Sequence, residues 1–293
     1  MECKMSEIIP LAVIGGSGLY DLPELTERQK QLIDTPFGKP SAPVVTGIID
    51  GKKIAFLARH GIGHTLSPSE VNYRANIFAL KMLGVQNIVS VSACGSLRED
   101  LAPGDIVIPD QLFDNTRGRQ RSFFGDGLVA HISVAEPFCM NLNDRLSQVF
   151  SQMGFKKVQS GGSLITIEGP RFSTRAESNV FRSWGLSIIG MTTSPEAFLA
   201  REAEMCYSVM AHVTDYDVWH TSESPVTVDM VVKVLNANTS LAQTAIRNLV
   251  MTMGVNEDCP CRSALENALI TQKDKIPAET RRKLEILIGK YLR

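Results

Sequence analysis

"LAVIGGSGLYD", residues Leu11 to Asp21, joins a short apolar run to three glycines, Gly15, Gly16 and Gly18. Such a run ends a strand in a turn whose free backbone N–H groups can face an anion. Dinucleotide-binding folds carry G-x-G-x-x-G here, the third glycine letting a helix pack against the strand. In this chain Asp21 stands at that third position, and Pro23 follows two residues later in a stretch with little helical periodicity. A G-x-x-x-x-G-K-[ST] run is also missing from the chain, which excludes a P-loop. What remains is an α/β strand end with the Ser17 hydroxyl beside it, suited to a small anion, or a plain turn of glycines after a core strand.

The 293 residues suffice for one large α/β domain or two smaller ones. Hydrophobic residues make up 44% and charged ones 21%, the composition of an ordinary globular protein. A formal net charge of −1 leaves no electrostatic footprint for nucleic acid or an anionic membrane, so a small-molecule ligand is expected. No run reaches the ~18 apolar residues that span a bilayer. Residues Met1 to Pro10, with Glu2, Lys4 and Glu7, do not read as a secretory signal, and a cytoplasmic location is the expectation. The six cysteines are spread along the chain without C-x-x-C spacing, so neither zinc nor any other metal is expected. Cys259-Pro260-Cys261 reads either as chance in a surface loop or as a strained disulfide; whether Cys139 and Cys206 pair is likewise open.

Apolar runs predict strands at Leu11–Gly15, Val44–Ile49, Lys53–Ala58, Ile88–Ala93, Asp105–Ile108, Ser163–Ile167, Ser187–Met191 and Cys206–Val213. Helices are predicted over Ser69–Leu83, stopped by Gly84, and from the Thr174-x-x-Glu177 capping box to about Trp184. Others are expected from Ser194-Pro195 to about Met205, from about Val228 to Met253, and from Pro277 to Leu292. Strand and helix alternate without linker or repeat. The expectation is therefore a single α/β domain over residues 1–293, with one mixed central sheet flanked by helices. Its core spans about 9–253, and a helical extension about 262–293.

Open α/β sheets bind ligands beyond the ends of their strands, and polar residues gather at several such ends. Arg59 and His60 follow "KKIAFLA" in a glycine-spaced turn that suits a phosphate dianion; Arg59 could instead pair with a carboxylate and His60 cap the turn. Ser92-Ala93-Cys94-Gly95-Ser96 is a run of small residues able to expose N–H groups or merely to pack closely. Met191 and Thr192 precede a helix N-terminus, where a hydroxyl can meet phosphate or only cap. Asp215 and Asp217, two apart, would face one side of an extended segment. Buried there, one carboxyl would keep a proton near neutral pH; on a solvated loop both would be ordinary surface acids.

Taken together, the motifs resemble the 5′-methylthioadenosine phosphorylases of the trimeric purine nucleoside phosphorylase branch. The resemblance runs through "DTPFGKPS" at Asp34–Ser41, "ARHG" at Ala58–Gly61, "VNYRANIFALK" at Val71–Lys81 and "SACGSLRED" at Ser92–Asp100. It continues through "TIEGPRFSTRAES" at Thr166–Ser178, "MTTSPEAFLAREAEMCY" at Met191–Tyr207 and "TDYDVW" at Thr214–Trp219, covering roughly the first 250 residues. It implies phosphate held by Ser17, Arg59, His60, Ser92, Ala93 and Thr192, with Ser17 standing where many relatives carry Thr. It implies Met191 under the ribose, Phe172 and Ser173 along the base, and Asp215, Tyr216 and Asp217 on the purine edge. His131 and Val228 would shape the pocket for the 5′-thiomethyl group, His131 by reaching into a neighbouring subunit of a trimer or a dimer of trimers.

The implied reaction is phosphorolysis, with inorganic phosphate as co-substrate and no cofactor. Relatives that favour 6-oxopurines carry Asn in place of the first Asp, so Asp215 points to adenine nucleosides. A phosphorylase for inosine, guanosine or 5′-methylthioinosine stands as the alternative. More distant ones are a nicotinamide-dependent oxidoreductase, against which Asp21 counts, and a non-catalytic purine sensor.

Overall fold

β1 (Leu11–Gly15) is buried at every position, as befits a strand covered on both faces. It lies between β4 (Lys52–Ala58) and β5 (Asn87–Ser96) and is parallel to both. The computed structural model describes residues 8–220, 227–255 and 258–293. Among these, eleven strands form one mixed sheet. β2 (Thr26–Gln31) and β3 (Val44–Ile49) extend it beyond β4. Past β5 come β10 (Ile188–Gly190), β9 (Ser163–Ile167) and β7 (Gln111–Asn115). β11 (Cys206–Asp215) lies along the other edge of β5 and leads to β6 (Ile106–Ile108) and β8 (Val158–Ser160).

Alternation along β1 builds two cores, because successive side chains leave a strand on opposite faces. Ala12 and Ile14 join a cluster with Ile77 of α1 (Tyr73–Met82), Leu199 of α4 (Thr193–Glu202) and Leu284 and Ile288 of α6 (Ala278–Leu292). Leu11 and Val13 face a second cluster with Leu146 and Phe150 of α2 (Met140–Gln152) and Ala242 and Ile246 of α5 (Val228–Thr252). The C-terminal segment is thus woven into the main core. No helix among the described residues is long and apolar enough to cross a membrane.

Helix starts follow the cap that is best satisfied. α1 begins at Tyr73 rather than Ser69, because Asn72 accepts from the Ala75 N–H at 3.1 Å; Ser67 and Glu70 close a separate turn upstream. In α4, Ser194 keeps an extended ψ of 135°, so regular helix begins at Pro195 as its N1 position implies. α3 (Arg175–Ser183) opens on the expected capping box: Thr174 accepts from the Glu177 N–H at 3.2 Å, and Glu177 accepts from the Thr174 N–H at 2.7 Å. Thr174→Ala should therefore cost about 1 kcal/mol, read as a lower denaturant midpoint at unchanged slope; an unchanged midpoint would remove the box from the account.

Sequence reading passed over β2, β7, β8 and α2. β2 is TERQKQ, an exposed polar edge strand without apolar alternation. α2 does carry Leu142, Leu146, Val149 and Phe150 at helical spacing, but Asn141, Asn143 and Asp144 lower the propensity of its first turn.

β5 also makes the functional crevice. On one edge it pairs with β1 as far as Ser90 and with β10 from Gly95 onward, the second pairing antiparallel. Strand order changes between those two points, and such switch points are where open sheets bind ligands.

Candidate active site

Between the two partners of β5 opens a cavity of about 910 Å³, at the upper end of the range for small-molecule sites. The ends of β1, β4, β10 and β11 converge on it, and Asn238, Thr239 and Ala242 of α5 form one wall. Of the residues expected from the sequence, Arg59, His60, Ser92, Ala93, Phe172, Ser173, Met191, Thr192, Asp215 and Asp217 all line it. They arrive from positions up to 158 apart, since β11 runs parallel to β5 with Ala211 opposite Ser92 and Asp215 opposite Gly95.

One region is built for an anion. Ser92 Oγ and Thr192 Oγ1 stand 3.4 Å apart, and Gly15, Gly16 and Gly18 line the same cavity. Thr192 precedes the regular part of α4, which begins at Pro195, and its side chain makes no hydrogen bond to the helix, so its hydroxyl remains for a ligand. Another region is acidic. Asp215 Oδ1 accepts from the Asp217 N–H at 2.8 Å and Oδ2 from the Thr214 hydroxyl at 2.6 Å. Burial pushes both carboxyls above their ordinary range, and the Asp215 charge adds to this for Asp217. Asp217 Oδ2, Ser173 Oγ and both ring nitrogens of His212 are buried without a hydrogen-bond partner among the described residues. Polar atoms so placed are normally satisfied, and an incoming polar ligand would satisfy these.

The two acids reach the cavity differently from the expectation. They do not share a face of an extended strand: β11 ends at Asp215 after a register shift, and Asp217 follows in a left-handed turn with φ 50°. The Asp215 carboxylate stabilises that turn by accepting the Asp217 N–H. Gly95 makes room for the pair, since a Cβ there would stand 2.9 Å from Asp215 Oδ1 and 3.0 Å from Ile189. From Ser92 to Gly95 the strand advances about 10 Å, at ~3.3 Å per residue, so that distance along β5 separates anion site from acids.

Arg59 is held more tightly than the sequence alone required. Its Nε and Nη2 donate to Glu196 at 2.8 and 2.9 Å, and Nη2 also to Ser90 Oγ at 2.6 Å. The side chains are 3% and 0% exposed. Burial opposes the charge, but Glu196 more than offsets this and keeps the guanidinium protonated. The carboxylate alternative for Arg59 is thus present, with only Nη1 left to a long 3.4 Å contact with the Val91 carbonyl. His60 also caps its turn, Nδ1 donating to the Leu66 carbonyl at 2.8 Å. Burial, and then the Arg59 charge, bring it down to about 4. The neutral ring therefore carries its proton on Nδ1 and offers Nε2 as an acceptor.

Three expectations part from the geometry or lie beyond it. Tyr216 does not line the cavity; it stacks on His220 at 4.6 Å and meets Trp219 edge-on at 5.8 Å. His131 is exposed and away from its own chain's cavity, its backbone N–H donating to the Ala268 carbonyl at 2.8 Å. The side chains of Ser17 and Val228 lie outside those described. Sequence reading missed His212, Thr214, Asn238 and Glu196. Alternation along β11 from Asp215 points to Val213 rather than His212, which lines the cavity only because the register shift between Val213 and Asp215 changes the face, and nothing local marks Asn238, midway along α5. The cysteines are not scattered in space either, four of them meeting in one buried cluster where β11 begins.

The model of the phosphorylase superfamily matches residues 10–251. The chain is 52% identical over 283 residues to the S-methyl-5′-thioadenosine phosphorylase of Geobacter sulfurreducens, covering 96% of this chain and 99% of that one. A methylthioadenosine phosphorylase from an antarctic soil metagenomic library superposes with a TM-score of 0.90 at 46% identity, over 96% of this chain and 99% of that one. A mutant adenosine/methylthioadenosine phosphorylase from Schistosoma mansoni, solved in complex with methylthioadenosine, gives 0.80 at 38% identity, over 86% and 93%. The chain belongs to the phosphorylase superfamily and, within it, to the 5′-methylthioadenosine phosphorylases.

Proposed function

We infer that this chain cleaves 5′-methylthioadenosine with inorganic phosphate, giving adenine and 5-methylthioribose 1-phosphate. The observation that carries this reading is the placement of Ser92 with Thr192 at one point along β5 and of Asp215 with Asp217 at another, within one cavity. The ~10 Å between them, from the rise of a strand, accommodates a phosphate, a ribose and a purine in that order.

The chemistry follows from charge. As the bond from ribose C1′ to purine N9 lengthens, positive charge grows on the sugar and negative charge on the base, and preorganised partners for each lower the barrier. Phosphate held by Ser92, Thr192, the backbone at Ala93 and the glycine turn with Ser17 faces the sugar and attacks C1′. Arg59 supplies a fixed positive charge beside it, and neutral His60 accepts the phosphate O–H at Nε2. Met191 lies under the ribose, and Phe172 and Ser173 border the base. The two acids share a proton as a pair, which Asp215 places on N7 while the ionised partner accepts from N6. Acid help of this kind is worth about 10²–10⁴-fold. No cofactor enters this scheme, phosphate being a substrate.

Adenine release should be fastest from 5′-methylthioadenosine, with adenosine slower and inosine far behind, each measured with and without phosphate. A preference for inosine would replace this reading with the 6-oxopurine alternative. His131 and Val228 are assigned to the 5′-thiomethyl end, His131 across a subunit boundary, because it is exposed on its own chain. A monomer then lacks part of its site, and sedimentation should give trimers or multiples of three; a stable, fully active monomer would overturn this assignment.

A further inference from the structure

Cys139, Cys206, Cys259 and Cys261 lie far apart in the chain, yet their four sulfurs are all within 4.8 Å of one another. Cys259 Sγ is 3.4 Å from Cys206 Sγ and 3.6 Å from Cys139 Sγ. Four thiolates around one tetrahedral zinc, each at about 2.3 Å, stand about 3.8 Å from each other, so these separations fit a single central ion. The residues are 4%, 3%, 9% and 3% exposed. Their positions come from three elements: Cys139 is the N-cap of α2, Cys206 opens β11, and Cys259 and Cys261 flank Pro260 in a short 3-10 turn after α5. That distribution explains why no C-x-x-C spacing marks it.

The surroundings suit a thiolate cluster. Arg201 Nη1 donates to Cys261 Sγ at 3.2 Å, and Asn141 Nδ2 to Cys259 Sγ at 3.9 Å. Arg201 is itself anchored to the carbonyls of Glu136 and Phe138, at 2.6 and 3.4 Å, just ahead of Cys139. Outer-shell donors of this kind orient ligands and offset the net double negative charge that four thiolates around one divalent ion would carry. None of the four cysteines lines the catalytic cavity.

We propose that Cys139, Cys206, Cys259 and Cys261 form a structural site for one divalent metal ion, zinc by its all-sulfur donor set, in place of the metal-free reading of the sequence. Binding transfers the four thiol protons to solvent and changes no oxidation state. The ion would clasp the C-terminal segment to β11 and α2. That segment pairs Leu269 with Ala130, next to His131, so the clasp fixes the loop that carries His131.

The test uses the full chain, expressed with zinc supplied and purified under thiol reductant without chelator. Elemental analysis should find one zinc per chain, released when a mercurial titrates the thiols. Exchange into cobalt should give the intense red-region absorption of a tetrahedral cobalt thiolate. Cys261→Ser should lose most of the zinc, while Cys3→Ser keeps it. Reduced wild-type chain that binds neither zinc nor cobalt overturns the proposal. So does freshly purified protein without metal whose mass lies four hydrogens below that of the reduced chain, since two disulfides would then occupy the same sulfurs. Both readouts use the wild-type protein and do not depend on the variant folding.

Discussion

Asp215→Asn should lower kcat for 5′-methylthioadenosine by about 10²-fold or more, the scale of a lost general acid, while the ratio of inosine to 5′-methylthioadenosine turnover rises. Asparagine keeps the size of the side chain, and its one amide oxygen can still accept the Asp217 N–H, while the Thr214 hydroxyl, which the carboxylate takes on its other oxygen, has the Cys94 carbonyl at 3.2 Å as its remaining acceptor. What it loses is a transferable proton. Its NH₂ can donate to N7 or O6 of a 6-oxopurine, so that substrate suffers less or gains. The sign of the pH effect follows from burial, which raises the Asp215 pKa above its ordinary value. The acid works only when protonated, so wild-type kcat declines as pH climbs through that raised value, and the asparagine variant lacks this limb. If Asp215 were only a buried structural acid, rate, preference and pH profile would stay within a small factor of wild type. Measuring kcat/KM for both nucleosides across pH separates the two.

Arg59→Ala should unfold the protein more readily and raise the phosphate KM together. The first effect comes from Glu196, left at 0% exposure without its ion pair. Breaking a buried pair on one side typically costs about 3–5 kcal/mol. Glu196 also accepts from the Tyr207 hydroxyl at 2.7 Å, so the damage spreads into β11. Because one substitution then changes two properties, the discriminating variant removes both charges. Replacing a buried pair by apolar residues of similar volume is often neutral for stability, so Arg59→Met with Glu196→Leu should regain most of the lost midpoint. If Arg59 acts on phosphate, the double variant keeps the raised phosphate KM despite its recovered fold. A phosphate KM back at the wild-type value would make the pair purely structural.

Much of this architecture was legible because strands and ligand groups share one register. The apolar runs that give β1, β4, β5, β9, β10 and β11 end at or just before residues that line the cavity. Local chemistry also reveals the α3 capping box and the glycine turn. Roles within the site came instead from the resemblance, since hydroxyls and acids at strand ends have ordinary structural uses. What escaped the sequence depends on distance along the chain. Glu196 is 137 residues from Arg59, and a helical glutamate gives no sign that it will be buried. Cys139 and Cys259 are 120 apart, and only the folding of the C-terminal segment against β11 brings them into contact. Asp217 reached the cavity through a left-handed turn, which strand periodicity does not encode.

The central claim is that phosphate, not water, takes the ribose from adenine in this cavity. The most direct measurement is the initial rate of adenine release from 5′-methylthioadenosine as phosphate is raised from none to saturation, with 5-methylthioribose 1-phosphate counted in the same samples. Phosphorolysis predicts negligible release without phosphate, saturation as phosphate rises, and one sugar phosphate for each adenine. Adenine appearing with free 5-methylthioribose, at a rate indifferent to phosphate, would contradict it.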